Sequence, residues 1–149
     1  MEEYKPECIV VGAIARCEKF VEPVVKTLES MEIEVKVITS AHLDELVPDM
    51  IPMIAGTDLP EAILISPTGN EVSIAANKFK SVHAVIAQDA FVARRSRERL
   101  GCNVLCLPVE LLDTQQISET IASWCSTPYR PASHNKKDEL KRVEQSTQE

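Results

Sequence analysis

Residues 66 to 71 read SPTGNE and lie between the apolar run ILI and the helix-like pattern VSIAANK. Two hydroxyls (Ser66, Thr68), two turn-forming residues (Gly69, Asn70) and a carboxylate (Glu71) fall in this short stretch. Such groups move protons or hold a polar ligand when a fold brings them together. The stretch has the outline of a catalytic loop, yet Pro67 and Glu71 stand where such a loop usually has small, flexible residues.

Three other features compete with it. ARRSRERLG, 93 to 101, packs Arg94, Arg95, Arg97 and Arg99 close together; in an acidic chain, a solvated face or subunit ion pairs are expected ahead of a polyanion site. Cys102 and Cys106 are spaced to face the same side of a strand, which points to core packing before redox or metal work. TGN is too short for a nucleotide loop, and with 4 glycines there is no GxGxxG or Walker A motif.

Bulk properties narrow the function classes. A chain of 149 residues fits one domain that can bury a core without staples. The net charge of −7 repels phosphates, so neither nucleic acid nor an anionic membrane is an expected partner. No apolar run approaches the roughly 20 residues of a membrane span. MEEYKPE is acidic and polar, unlike a signal or transit peptide, and the KDEL at 137 to 140 is internal. The 5 cysteines are odd in number and include no C-x-x-C, which suggests neither a disulfide framework nor a zinc site. A reducing compartment, the cytosol, is expected.

The elements that must position the loop alternate in type. Apolar runs at 8–14, 33–39, 61–66, 83–88 and 103–108 read as strands. Helical patterns follow them: one with Phe20, Val24, Val25 and Leu28 on one face and Pro23 in its first turn, a short proline-interrupted one at 41–56, and others near 70–79, 89–100 and 114–126. Unbroken apolar strands are buried on both faces, so five β-α repeats give a three-layer, doubly wound, Rossmann-like α/β fold with a five-stranded parallel sheet. Residues 1–130 form this single domain. Residues 131–149 are a polar tail without an apolar stripe, expected as an extended arm, a loose helix or disorder. Ligands of such folds sit beyond the carboxyl ends of the strands, which places SPTGNE at the functional edge.

ILISPTGNEVSIAANK resembles ILICGTGIGMSIAANK of the type B ribose-5-phosphate isomerase family, which also contains galactose-6-phosphate isomerase subunits. Ala93, Ser96 and Arg97 fit that family's helix after the fourth strand, and NVL at 103 to 105 opens its fifth. The resemblance implies interconversion of aldose and ketose phosphates through a cis-enediolate, with no cofactor and no metal. That chemistry needs a base, a ring opener, donors for the oxyanion and cations for the phosphate.

Carried over by position, those roles fall on altered residues. The family's loop cysteine is Ser66, a hydroxyl that needs its own activating partner; no GxSxG elbow surrounds it, and a role in satisfying loop backbone is expected. Thr68 and Gly69 persist from the family's anion cradle, with Asn70 beside them, but Pro67 deletes one N–H and Glu71 brings in a negative charge. Glu71 is either a rescue base or an acid that suits a first helical turn; the glutamate base of some relatives aligns with Val72. The Asp-His pair after the first strand is Ile14-Ala15, and the ring-opening histidine is Arg99, followed by Leu100. In the tail, Ser133 and Lys137 replace two phosphate-binding arginines, and His134 remains. The resulting expectation is an impaired isomerase acting as a binding or partner subunit, in a homodimer or with an intact relative. The alternatives are a working isomerase with Glu71 or Ser66 as base, and a sugar-phosphate or metabolite sensor.

Overall fold

The computed structural model describes residues 4–55, 61–80, 82–128, 139–140 and 142–143. Strands β1 (Cys8–Ile14), β2 (Glu34–Ser40), β3 (Ala62–Ser66), β4 (Ala84–Ile86) and β5 (Val104–Pro108) alternate with helices α1 (Val21–Ser30), α2 (Leu43–Ala55), α3 (Asn70–Ala76), α4 (Ala90–Arg95) and α5 (Thr114–Ser126). The strands form one sheet in the order β2-β1-β3-β5-β4, with every neighbouring pair parallel. Helices α1, α4 and α5 pack together on one face, and α2 packs with α3 on the other. The doubly wound fold read from the sequence is therefore the fold observed.

Burial explains the order. In β1, β3 and β5, residues such as Val11, Ile63 and Leu105 are fully buried, as strands covered by helices on both faces must be. β2 departs from that expectation: Glu34, Lys36, Val37 and Thr39 are exposed. It pairs with β1 on one side only, and its charges discourage a further strand from adding there. Gly12 in β1 is a packing requirement, since a Cβ there would lie 2.0 Å from Met50 Sδ of α2.

The second helix corrects the sequence reading. It runs unbroken from Leu43 to Ala55 through Pro48 and Pro52. The two prolines are spaced to share one helix face, and both are exposed. The carbonyls they leave without an N–H partner can therefore be met by water, while Leu46, Val47 and Met50 anchor the buried face. At α5, Asp113 and Gln116 form a reciprocal capping box, which fixes the helix start where the sequence places it.

The amino-end edge of the sheet holds a second correction. Arg94 and Arg95 do pair with Glu98 on the surface. Arg97 does not belong to that solvated face; it is fully buried, as is its ion-pair partner Glu61 just before β3. Arg97 Nε donates to Thr127 O at 3.0 Å, Nη1 to Cys102 O at 3.2 Å and Nη2 to Tyr4 Oη at 3.3 Å. Its guanidinium lies 4.5 Å from the centre of the Trp124 ring, itself buried. One side chain thus ties the start of the chain, β3, β5 and the end of α5. The signal was present in the sequence: Ala93, Ser96 and Arg97 share the inner stripe of the helix. Burial pushes the Tyr4 hydroxyl up to about 12, with the Glu61 charge adding to the rise.

Candidate active site

The strand order switches direction between β1 and β3, so the crevice that such folds use for ligands opens at the carboxyl ends of those strands. β3 ends on Ser66, and the loop after it is pinned to β5: Val109 N donates to Ser66 O and Glu110 N to Pro67 O, both at 3.1 Å. The SPTGNE loop is thus held rigidly at the edge where the sequence reading puts it.

Within the loop two backbone N–H groups are engaged by its own side chains. Ser66 is buried, and its Oγ accepts the N–H of Gly69 at 2.9 Å. Thr68 Oγ1 accepts the N–H of Asn70 at 3.4 Å. Gly69 has φ of +82°, and a Cβ there would lie 3.0 Å from Ile86, so the turn requires glycine. Pro67 has no N–H to give. The amides of Gly69 and Asn70 are thus bonded to the loop's own side chains.

Glu71 opens α3 and is exposed. Its Oε1 lies 3.7 Å from Arg16 Nη2, in the turn that follows β1. The sequence reading gave Arg16 no role, because the family pair it compared at the end of β1 falls on Ile14 and Ala15, of which the first is buried and the second exposed. Beside Arg16, the thiol of Cys17 is covered and pushed up from its usual range. Burial is the main cause; the charges of Arg16, Glu110, Lys19 and Glu71 follow in that order, with the two cations opposing the rise. Arg16 and Glu71 thus bring opposite charges together at this end of the sheet.

The remaining candidates fall elsewhere. Arg99 is exposed in the wide turn Ser96–Leu100 that ends the α4 segment, next to the amino ends of β3 and β5. Within one chain it stands a strand's length, roughly 15 Å, from the Ser66 loop. His83 immediately precedes β4, at that same amino-end edge. His134 and Lys137 lie outside the described residues. The chain leaves α5 toward them from Thr127, again at the amino-end edge, where Arg97 holds its carbonyl. Among the described residues, no three His, Cys, Asp or Glu side chains gather as a metal-binding group. Cys8, Cys17, Cys102, Cys106 and Cys125 form no disulfide, all but Cys8 are buried, and burial pushes Cys125 up to about 12.

A doubly wound parallel domain with a helix-opening loop beyond its third strand belongs to the Rossmann-like α/β class. Within that class, a family model described as Ribose/Galactose Isomerase matches residues 9–142, and the chain belongs to that family. It is similar to ribose-5-phosphate isomerase B of Escherichia coli, 30% identical over 86 residues that cover 58% of each protein. A probable ribose-5-phosphate isomerase B of Mycoplasma pneumoniae is 28% identical over 120 residues, covering 76% of this chain and 79% of the relative. The match to the Escherichia coli protein and to a putative sugar phosphate isomerase of Bacillus subtilis spans little more than half of each relative's length.

Solved structures agree on the fold. The type B ribose 5-phosphate isomerase of Leishmania infantum superposes with a TM-score of 0.85 at 21% identity, covering 95% of this chain and 99% of that one. The Thermotoga maritima ribose 5-phosphate isomerase gives 0.80 at 22% identity over 91% and 96% of the two chains. Among the described residues, no helix is long and apolar enough to cross a membrane.

Proposed function

We propose that this member of the sugar-phosphate isomerase family has lost the aldose–ketose chemistry in its own loop and acts as a ligand-binding or partner subunit. The observation that carries this reading is the engagement of two of the loop's amides, Gly69 N–H on Ser66 Oγ and Asn70 N–H on Thr68 Oγ1, with Pro67 offering none. An enediolate needs preorganised donors aimed at its developing charge, and amides already bonded inside the loop are not free to supply them. The base is lacking as well. Ser66 is a buried hydroxyl used as an acceptor, and it has none of the thiol's acidity. Arg99 stays charged and cannot exchange a proton to open a sugar ring near neutral pH.

The placement of Arg99 supports an assembly, with itself or with an intact relative, in the cytosol. It stands at the edge opposite Ser66, so these two positions, which the resemblance assigns to one site, would meet between two chains.

One observation favours a second reading, a working isomerase with Glu71 as base. Arg16 places a cation beside Glu71, which offsets the negative charge that Glu71 brings to the loop. Against it, the glutamate base of some relatives aligns with Val72, which is fully buried, and one step along a helix turns a side chain by about 100°. Ketose formation from ribose 5-phosphate and from allose 6-phosphate tests the choice. The proposal expects none above the uncatalysed rate, whereas turnover that Glu71→Gln abolishes would establish the second reading.

A further inference from the structure

We infer that Arg16 is the anion contact of this site, and that it is shared between Glu71 and the phosphate of a sugar-phosphate ligand. The inference rests on the reading of this edge as a sugar-phosphate site. Arg16 lies in the turn Ala15–Phe20 after β1, beside the crevice between β1 and β3 and one residue past the positions of the family's Asp-His pair, which Ile14 and Ala15 occupy here. Ile14 and Ala15 before it bring no polar side chain, Pro67 brings no N–H, and the Gly69 and Asn70 amides are bonded within the loop. An anion entering here is therefore met first by a side-chain cation.

The pairing of Arg16 suits an exchangeable contact. At 3.7 Å from Glu71 it is an ion pair without the 2.7–2.9 Å approach of a charge-assisted hydrogen bond, and the two side chains are 64% and 53% exposed. Such exposed pairs are weak and easily exchanged. The guanidinium carries further donors in a fork that matches phosphate oxygens two at a time. Glu71 is then a competitor for Arg16, displaced when phosphate arrives, and Lys19 on the same turn adds long-range attraction.

Competition has a signature that simple charge attraction at a distance lacks. Calorimetric titration of ribose 5-phosphate, with ribose as the uncharged control, compares the wild type with Arg16→Ala, Arg16→Lys and Glu71→Gln. Arg16→Ala is expected to weaken ribose 5-phosphate about tenfold or more. Arg16→Lys recovers part of the loss, because one ammonium replaces the fork. Glu71→Gln tightens binding by roughly 2–5-fold, the worth of an exposed pair that no longer competes. Thermal melting of each variant confirms that these exposed changes leave the fold intact. Equal binding by wild type and Arg16→Ala would overturn the inference while leaving a sugar-phosphate site in place. Absence of wild-type binding, or ribose binding as tightly as its phosphate, would overturn the inference together with the reading it rests on.

Discussion

Arg97 and Arg16 each stand beside a glutamate, at opposite edges of the same sheet. Arg97 is fully buried, bonded to Glu61, Tyr4, Cys102 and Thr127 and stacked on Trp124. Arg16 is exposed and only loosely paired with Glu71. Both are salt bridges, but their energetics differ in kind. At the amino-end edge the charges are out of water, so each is needed to compensate the other. At the carboxyl-end edge water already solvates both partners, and the pair can open at little cost. One edge holds the fold together; the other retains exchangeable charge beside a loop that engages two of its own amides.

The comparison breaks first, and most visibly, at Arg97. Arg97→Met leaves Glu61 charged and buried, and should cost about 3–5 kcal/mol in urea unfolding. The double variant Glu61→Leu/Arg97→Met should be more stable than the single, because no orphan charge remains. A cost below about 1 kcal/mol for the single variant would mean that the two edges do not differ as described.

Next in size are changes inside the loop. Ser66→Ala strands a covered N–H of Gly69 and should cost about 1–3 kcal/mol. Gly69→Ala forces a residue with a Cβ into a left-handed conformation against Ile86, for about 1–2 kcal/mol. If Ser66→Ala is neutral in chemical unfolding, the hydroxyl is not the loop's structural cap.

A pH series refines the amino-end edge. A hydroxyl pushed up to about 12 stays protonated in the folded protein after the unfolded chain has begun to ionise near 10. The unfolded state then binds fewer protons, so stability is full below pH 10 and is lost as pH rises toward 12. Tyr4→Phe should flatten the fall of the urea midpoint across that window. Burial raises Cys106 and Cys125 in the same direction, but these thiols are common to both proteins and cancel in the comparison. The smallest effect belongs to Glu71→Gln, expected to change stability by less than about 1 kcal/mol in the same unfolding assay.

These two edges also divide what was legible in the sequence. β1 at 8–14 matches the sequence reading residue for residue and α5 lies where the helical pattern near 114–126 places it, because a continuous apolar run and a helical stripe are local signals. The loop's place at the carboxyl ends follows from β-α alternation, and the structural role expected of Ser66 agrees with its bond to Gly69. The run of α2 through Pro48 and Pro52 was not legible, because tertiary burial of one face outweighs two lost hydrogen bonds on the other. Arg97 was hidden among four arginines whose charge suggested solvent; only its helical phase against Ala93 and Ser96 distinguished it. The approach of Arg16 to Glu71 joins residues far apart in the chain, and no local pattern encodes it.

The central claim is that this loop cannot take a proton from a sugar carbon. Deuterium exchange into ribose 5-phosphate in D2O, followed by proton NMR at the C2 position, reads that step directly and does not depend on net turnover. The wild type should exchange no faster than buffer, and Ser66→Ala and Glu71→Gln should match it. Wild-type exchange above the buffer rate that disappears in Glu71→Gln would contradict the account and make Glu71 the base.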